Sequence, residues 1–325
     1  MRRVLVTHVD SIVGRRLVKA LYHDPDVALV LGVDTGPSPS FLEPYRHKCV
    51  YQRLDLAKAR HLMSFFQSER FARARLDSLI HLPFVQERPG ERVPGNVHVL
   101  VSETRRLLQH CKREKRIERF IYLSTAFVYR PEPGNVNIVN EEQFLDFEGE
   151  GDHEIRAWID TDLLCQAELH DTHLKTTILR TATVVTESGE FLLSPPLERG
   201  EPPLGFDPMI SAIADRDVAR SLVLALHADE PGIYNVAGRD VFPRSLLLGA
   251  RGRSGALYLP ALVRDTLARI AQTVAVLRSG NGDFARYGMV LDTRHAAEVL
   301  GFEPHYRIEL RRAGSGRRIE TIRCR

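Results

Sequence analysis

Short apolar runs alternate with segments of helical periodicity along the first half of the chain. The first run, Arg3–Thr7, is rich in β-branched residues, and in the next segment, Ile12–Tyr22, apolar residues recur at helical spacing. Continuous apolar runs are typical of strands buried on both faces, and their alternation with helices is typical of a parallel sheet. The pattern therefore predicts an α/β fold with a doubly wound, Rossmann-like parallel sheet and a small C-terminal α/β lobe.

The same periodicity predicts the other elements. The predicted strands are Arg3–Thr7, Val27–Val33, Cys49–Leu54, Leu76–Leu82, Ile117–Ser124, Thr176–Leu179 and Ile233–Val236. The predicted helices are Ile12–Tyr22, Ala59–Phe71, Val97–Lys115, Ile155–His173, Ala214–Leu226 and an amphipathic Leu257–Leu277.

The pattern becomes less regular from about Val184, where Pro-Pro pairs mark loops. We expect a Rossmann-like dinucleotide-binding-type domain over 1–183. We expect a small lobe over 184–325, of which some segments return to the sheet. Six arginines follow Leu310 and predict a solvated basic tail, with an anionic partner as the alternative.

Composition narrows the class of protein. The 325 residues are 43% hydrophobic and 27% charged, with a net charge of +3, which is ordinary for a globular protein. This balance predicts no nucleic-acid partner, and no apolar run is long enough for a membrane span. Four widely spaced cysteines fit reduced thiols and a cytoplasmic location better than disulfides or a metal site.

The turn after the first strand is where a dinucleotide site would place its glycines. They permit a tight turn, close approach of the pyrophosphate and close packing of the helix on the strand. Between Thr7 and Gly14 only Gly14 is a glycine, and His8 and Ser11 occupy the two positions nearest the phosphates. Alone, this motif would not indicate a nucleotide site.

Further motifs follow in order along nearly the whole chain. They are Val33-Asp34, Asp55-Leu56, His81-Leu82, Ile121 to Tyr129, Ile178-Leu179-Arg180, Asp217-Val218-Ala219, Tyr234 to Gly238 and Leu300-Gly301-Phe302. With the Thr7 to Gly14 loop, the series resembles the extended short-chain dehydrogenase/reductase family, the NAD-dependent epimerases and dehydratases.

The resemblance implies a cofactor cradle for NAD. Asp34 would hold the adenosine ribose, and since no arginine follows it directly, NAD is expected over NADP. Pro83-Phe84 stands where the family has two small residues; Phe84 either fills cofactor space or anchors the loop. The cofactor-binding positions implied are Thr7, His8, Ser11, Gly14, Asp34, Asp55, Leu56, Leu82 and Pro83.

The catalytic positions depart from the family pattern. The resemblance implies a Ser or Thr, here Thr125, and a Tyr-x-x-x-Lys pair on one helix face, which is occupied here by Trp158 and Asp162. An indole does not titrate in the useful range, and a carboxylate raises rather than lowers the pKa of a neighbouring phenol. No lysine lies between Lys115 and Lys175, so no shift of register restores the pair.

Several alternatives remain open on the residues alone. Asp160 and Asp162 are either solvated carboxylates or replacement acid–base groups. His8 either binds phosphate when protonated or disrupts the tight turn. The acidic segment 140–154 is either a solvated face or a surface that repels anionic substrates.

We therefore expect an epimerase/dehydratase-family protein that is catalytically impaired and acts as a binding or regulatory module, with weak or absent NAD binding. Its partner would be an unknown small molecule or protein. The alternative is an active NAD-dependent oxidoreductase or epimerase with a non-standard proton donor. The family resemblance also implies a homodimer that pairs the helices Val97–Lys115 and Ile155–His173.

Overall fold

The computed structural model describes residues 1–83, 96–130, 138–147, 153–193, 207–250, 288–313 and 316–324. Its strands are β1 (Arg2–Thr7), β2 (Val27–Asp34), β3 (Cys49–Arg53), β4 (Ser78–His81), β5 (Arg119–Thr125), β6 (Lys175–Thr181), β7 (Thr183–Val185), β8 (Phe191–Leu192), β9 (Met209–Ala214), β10 (Gly232–Val236), β11 (Val241–Pro243), β12 (Tyr306–Ala313) and β13 (Gly316–Arg323). Its α-helices are α1 (Ile12–His23), α2 (Ala59–Phe66), α3 (Glu69–Ala74), α4 (Asn96–Arg113), α5 (His153–Gln166), α6 (Asp215–His227), α7 (Arg244–Ala250) and α8 (Arg294–Leu300).

Seven parallel strands form the main sheet, in the order β10-β6-β5-β4-β1-β2-β3. Helices α1 and α6 pack side by side, as do α4 and α5. The strands are buried nearly throughout, because helices flank the sheet. The predicted doubly wound parallel sheet is confirmed.

The second half of the chain contributes one strand to the main sheet and one helix to the layer that covers it. β10 extends the main sheet beside β6, and α6 packs on α1. A smaller sheet, β11-β9-β7-β8, and the antiparallel hairpin β12–β13 form the rest of the described C-terminal part. The basic segment after Leu310 is thus the outer part of a strand pair. The division into 1–183 and 184–325 stays a prediction.

Two predicted helices are shorter than their periodicity suggested. The segment Ala59–Phe71 is divided by Ser68, whose hydroxyl donates to the Phe65 carbonyl at 2.6 Å and accepts from the Phe71 amide at 3.2 Å. One side chain therefore ends α2 and caps α3. The segment Ile155–His173 leaves the helix after Gln166. Asp171 then accepts the amides of His173 and Leu174 in a turn that leads into β6.

The four cysteines are free. Burial raises the pKa of the Cys49 thiol to about 11 and raises the pKa of the Cys165 thiol well above its usual range.

No described helix is long and apolar enough to cross a membrane. The amphipathic segment Leu257–Leu277 and Phe84 lie outside the described residues.

Gly14 sets the distance between α1 and the loop that precedes it. A Cβ at this position would lie 2.6 Å from the Val9 carbonyl oxygen and 2.7 Å from that of His8. Both obstacles are backbone atoms, which cannot rotate away. The absence of a side chain at Gly14 is therefore what lets the helix begin so close to the end of β1.

We expect Gly14→Ala to lower the free energy of unfolding by about 1–3 kcal/mol, the usual cost of overpacking. The matched control is Gly36→Ala, since a Cβ there would meet no atom within 4 Å. Urea denaturation followed by circular dichroism measures both variants. Equal stability of the two would contradict the assigned role of Gly14.

Candidate active site

The strand order of the main sheet reverses between β1 and β4. The chain runs outward from β1 through β2 to β3, then returns so that β4 pairs with the other side of β1. In open α/β sheets, ligands bind in the crevice outside the carboxyl ends of the strands at this reversal. Thr7, at the end of β1, and His81, at the end of β4, therefore mark the candidate site.

Thr7 joins these two strand ends through buried hydrogen bonds. Its hydroxyl lies 2.9 Å from His81 Nδ1 and accepts the Leu82 amide at 3.0 Å. On the other side, His81 Nε2 lies 2.8 Å from the Thr104 hydroxyl, which donates its proton to the Leu100 carbonyl. The Thr7 hydroxyl also donates to the Leu82 carbonyl at 3.1 Å, so the imidazole bridges two threonine hydroxyls that are themselves bound to the backbone. Burial, and secondarily the nearby His8, holds the pKa of His81 well below its usual value, so this histidine is neutral.

His8 occupies a backbone conformation that favours glycine. Its φ of 47° lies in the left-handed region, where a side chain is strained by roughly 1–3 kcal/mol. The imidazole is only 4% exposed, and its Nε2 lies 3.3 Å from Oε2 of Glu103 on α4, which is 3% exposed. The side chain thus turns into the protein, towards a carboxylate, at the position where a phosphate-binding loop needs open space.

The start of α1 retains part of an anion-binding geometry. Ser11 caps the helix, and its hydroxyl accepts the Gly14 amide at 3.0 Å. The Ser11 hydroxyl thus already accepts one of the backbone N–H groups that would otherwise donate to a phosphate. The Asp10 carboxylate, which pairs with Arg15 at 3.0 Å, adds a negative charge to the same loop.

Asp34 is placed at the end of β2, where a ribose would bind. One carboxylate oxygen accepts the Asp10 amide at 3.0 Å, and the other accepts the Thr35 amide at 2.7 Å. The oxygen that accepts the Thr35 amide also accepts the Thr35 hydroxyl at 3.4 Å, whereas the oxygen bound to the Asp10 amide keeps a lone pair for a further donor. Asp34 thus fixes the β1–α1 loop and retains the capacity to accept a ribose hydroxyl.

The remaining cofactor positions lie on either side of this crevice. Asp55 accepts the Ala57 amide at 3.1 Å and pairs with Lys58. Leu56, Leu82 and Pro83 are buried, so their side chains pack in the protein interior. The three apolar positions therefore contribute to the shape of the crevice and not to its charge.

Thr125, at the end of β5, has its hydroxyl committed to the backbone. It is fully buried, donates to the Leu193 carbonyl at 2.7 Å and accepts the Phe127 amide at 3.3 Å. Leu193 has a φ of 57°, a strained conformation that this hydrogen bond helps to hold. Thr125 therefore acts in the structure as a clamp between β5 and the segment after β8.

Trp158 is buried on α5 and packs towards the sheet. Its ring lies 6.5 Å from the ring of Tyr122 on β5, within the range of aromatic pairs. The neighbouring Asp160 is 41% exposed and pairs with Arg156 on the helix surface. Of the two aspartates that sequence reasoning offered as acid–base groups, Asp160 therefore lies on the outer surface.

Asp162 is the buried partner of Arg180. Its Oδ1 accepts from Arg180 Nη2 at 2.6 Å, and its Oδ2 accepts from Arg180 Nε at 3.1 Å. Ser124 and Gln166 each add a hydrogen bond of 2.7 Å. The carboxylate thus receives four donors and is fully buried. The charge-assisted hydrogen bonds of this carboxylate are therefore all directed to neighbouring side chains of the fold.

The network extends from Arg180 to residues that belong to the motifs and to the acidic segment but for which the sequence implied no catalytic or binding role. The guanidinium carbon lies 4.8 Å from the centre of the Tyr129 ring. The Tyr129 hydroxyl donates to Asn235 on β10 at 2.6 Å. The backbone N–H of Asn235 in turn donates to the Glu141 carboxylate at 2.7 Å. The signal available in the sequence was an arginine inside an apolar strand, since a buried charge requires a partner.

Burial sets the protonation of this network. Burial alone would lower the pKa of Arg180, but the Asp162 carboxylate and Tyr129 outweigh that effect and raise the pKa. Burial raises the pKa of Tyr129 to about 12, against the opposing effect of Arg180. Arg180 is therefore charged and Tyr129 neutral at physiological pH, and the phenol is not an activated proton donor.

No cluster of three or more histidine, cysteine or acidic side chains that could hold a metal ion occurs within the described ranges. The acidic segment 140–154 is described only in part. Within it, Glu141 faces inward as the acceptor of the Asn235 amide, whereas Glu142 lies at the surface with its amide bound to the Asn140 side chain.

Comparison with protein-family models and with curated proteins gives no match. Solved structures do match over nearly their full length. The UDP-glucuronic acid 4-epimerase of Bacillus cereus, solved with UDP-glucuronic acid and NAD, is 19% identical, with 94% of each chain covered and a TM-score of 0.62.

Two further structures agree. The UDP-glucose 4-epimerase of Thermotoga maritima is 18% identical, with 93% of each chain covered and a TM-score of 0.62. The dTDP-glucose 4,6-dehydratase of Streptomyces venezuelae, solved with NAD, is also 18% identical, covers 94% of this chain and 92% of that one, and has a TM-score of 0.62. The chain shares the Rossmann-like α/β fold of these structures. The fold that the sequence motifs implied is confirmed, and the identities are too low to carry function with it.

In this structure, a lysine at position 162, where the family resemblance implies one, would disrupt the pairing of Arg180. We expect Asp162→Lys to lower the free energy of unfolding by about 3–5 kcal/mol, because Arg180 loses its buried partner and gains a neighbouring cation. We also expect Trp158→Tyr combined with Asp162→Lys to yield no hydride transfer.

The matched control is Asp160→Lys on the same helix, which removes only a surface ion pair and costs less than about 1 kcal/mol. Urea denaturation provides the measurement. If Asp162→Lys were as stable as Asp160→Lys, the Asp162–Arg180 pair would not have the structural importance assigned to it.

Proposed function

We propose that this chain is a catalytically impaired member of the NAD-dependent epimerase/dehydratase family that acts as a binding or regulatory module. The observation that carries the proposal is the Asp162–Arg180 pair. It places a carboxylate, saturated by four hydrogen-bond donors, where the resemblance calls for a lysine.

The other two catalytic positions support the same conclusion. Trp158 offers an indole that does not exchange protons in the useful range. Thr125 donates its hydroxyl proton to the Leu193 carbonyl and so is not free to orient a substrate oxygen. Loss of one general acid typically costs on the order of a hundredfold in rate, and here its charge partner is replaced as well.

The residues of the cradle do not fit a tightly bound dinucleotide. Gly14, Asp34 and the start of α1 are in place. However, the buried His8–Glu103 pair fills the loop, and the carboxylates of Asp10 and Glu103 oppose a diphosphate there. We infer weak or absent NAD binding, with an unidentified small molecule or protein as the partner.

We expect the purified chain to bind NADH no more tightly than about millimolar and to show no NAD-dependent turnover of nucleotide sugars. Calorimetric titration measures binding, and chromatography of the nucleotide-sugar products measures turnover, because an epimerase or dehydratase regenerates its NAD in every cycle. A paired variant, His8→Gly with Glu103→Ala, removes both side chains together and should raise the affinity for NADH.

Tight NADH binding together with turnover that Thr125→Ala abolishes would contradict the proposal. That result would support the alternative, an active oxidoreductase or epimerase with a non-standard proton donor. Tight binding without turnover would preserve the catalytic part of the proposal and reject the part about the cofactor.

The proposed homodimer would use the outer surface of α4 and α5. Leu100, Leu107 and Leu108 are buried in the protomer's own core and are not available to a partner. Leu163 and Leu164 are only partly buried and remain the apolar contribution of α5.

We expect light scattering at micromolar concentration to give twice the 36.8 kDa chain mass. We expect Leu163→Glu with Leu164→Glu to give the chain mass. The control is Leu224→Glu, a partly buried leucine on α6. A monomeric unsubstituted protein would refute the dimer.

A further inference from the structure

Helices α2 and α3 lie alongside α4, because the connections from β3 to β4 and from β4 to β5 cross the sheet in the same direction. The Phe66 ring of α2 stacks on the His110 ring of α4, with ring centres 4.4 Å apart and planes tilted by only 7°. Arg106 Nη1 donates to the Ala57 carbonyl, just before α2, at 2.7 Å. The contacts advance together along both segments, so the helices run parallel and their outer sides form one surface.

The two segments that form this surface hold an excess of positive charge. Residues 58–75 and 105–116 contain 11 basic and two acidic side chains, whereas the rest of the chain contains 34 basic and 40 acidic side chains. The net charge of +3 thus combines one basic surface with an otherwise acidic chain. The local excess, rather than the total, determines which partners this surface attracts.

Most of these charges have no acidic partner within the fold. The exposed arginines of the surface are Arg60, Arg73, Arg75, Arg113 and Arg116. Among the described residues, only Arg73 of this set has a carboxylate within 4.0 Å, that of Glu69 at 2.8 Å. Arg116 donates to the Ala72 carbonyl at 3.5 Å, which brings the ends of α3 and α4 together. The guanidinium groups therefore remain available to an anionic partner.

Helix stability accounts for some of these arginines and not for others. A basic side chain in the last turn of a helix interacts favourably with the helix dipole, which explains Arg73 and Arg113. Arg60 lies in the first turn of α2, where positive charge is unfavourable. Arg106 lies in the middle of α4, beyond the reach of either helix end. The basic surface is therefore larger than the fold itself requires.

The arginines form a two-dimensional array rather than a line. Arg106 and Arg113, two turns apart, are separated by about 10 Å along α4, and neighbouring packed helices lie about 8–10 Å apart. Met63, on the outer side of α2, is 49% exposed among these charges. The three phenylalanines of α2 and α3 are buried, so they offer no platform on which nucleic-acid bases could stack.

We propose that the outer surface of α2, α3 and α4 binds the anionic headgroups of a lipid membrane as a peripheral contact. Arginine binds phosphate through two parallel hydrogen bonds, and the exposed Met63 can enter the boundary between headgroups and acyl chains. A planar array of charge matches a membrane, whereas a cylindrical nucleic-acid duplex would touch it along one line. This contact is independent of the proposed function.

The basic surface is distinct from the side of α4 that faces α5. Lys112 lies on that other side and pairs with Glu168 at 2.7 Å. Arg106 and Arg113 lie on the stripe that adjoins α2, as His110 does. The membrane contact and the proposed homodimer therefore use different sides of α4.

The test is sedimentation of the full chain with vesicles of phosphatidylcholine that contain about 30% phosphatidylserine. We expect binding at about 0.05 M salt, loss of binding at about 0.5 M salt, and no binding to vesicles of phosphatidylcholine alone. Each arginine near an anionic surface strengthens binding about fivefold. Arg60→Gln combined with Arg113→Gln and Arg116→Gln should therefore weaken binding about a hundredfold.

The matched control is Lys19→Gln with Arg239→Gln and Arg294→Gln, which removes three exposed basic residues outside this surface and should leave the affinity unchanged. Circular dichroism confirms that both variants are folded. No sedimentation with the phosphatidylserine vesicles at low salt would overturn the proposal, and so would equal affinities of the two variants. Binding to a nucleic-acid duplex but not to the vesicles would also overturn it, in favour of a nucleic-acid partner.

Discussion

A buried arginine must have a partner, and this requirement organises the carboxyl edge of the sheet. Arg180 stands within β6, almost fully buried, and the Asp162 carboxylate neutralises it through two hydrogen bonds. Ser124 binds the same carboxylate, and Tyr129 packs on the guanidinium and binds Asn235. One charge pair thus connects α5 with β5, β6 and β10. Removing a partner from such a pair costs several kcal/mol, so the network is held in place by its own energetics.

A second buried pair, His8 with Glu103, has a comparable effect beside β1 and β4, where the strand order of the main sheet reverses. His8 adopts a strained backbone conformation, and such strain persists only where the surroundings fix it. Glu103 supplies that constraint from α4, and the neutral His81 bridges Thr7 and Thr104 directly beside it. Polar groups at the edge where Rossmann-like folds bind ligands are here satisfied by one another. These mutual hydrogen bonds stabilise the loop between β1 and α1 against α4.

The sequence alone was sufficient to predict the main sheet, but it was insufficient to predict the two buried charge pairs. Continuous apolar runs located the strands of the main sheet, because burial on both faces leaves a clear pattern. The boundary between α2 and α3 depends on two hydrogen bonds of Ser68. The amphipathic pattern continues across Ser68 unchanged, so the pattern predicted a single helix there. The Asp162–Arg180 pair depends on the register that sets Ser124 beside Arg180, a relation between distant segments that local patterns do not contain. The inward turn of His8 likewise depends on Glu103, 95 positions away.

These buried pairs also bear on where the protein meets its surroundings. A charge held inside a saturated network cannot recognise a ligand, so Arg180 contributes nothing to attraction at long range. The hairpin β12–β13 differs, since its register sets Arg311 across from Arg318 and Arg312 across from Arg317. Like charges set directly opposite one another in a strand pair cost stability. At the carboxyl edge of the sheet, by contrast, the opposite charges of Asp162 and Arg180 are paired and buried, so the polar groups there stabilise the fold.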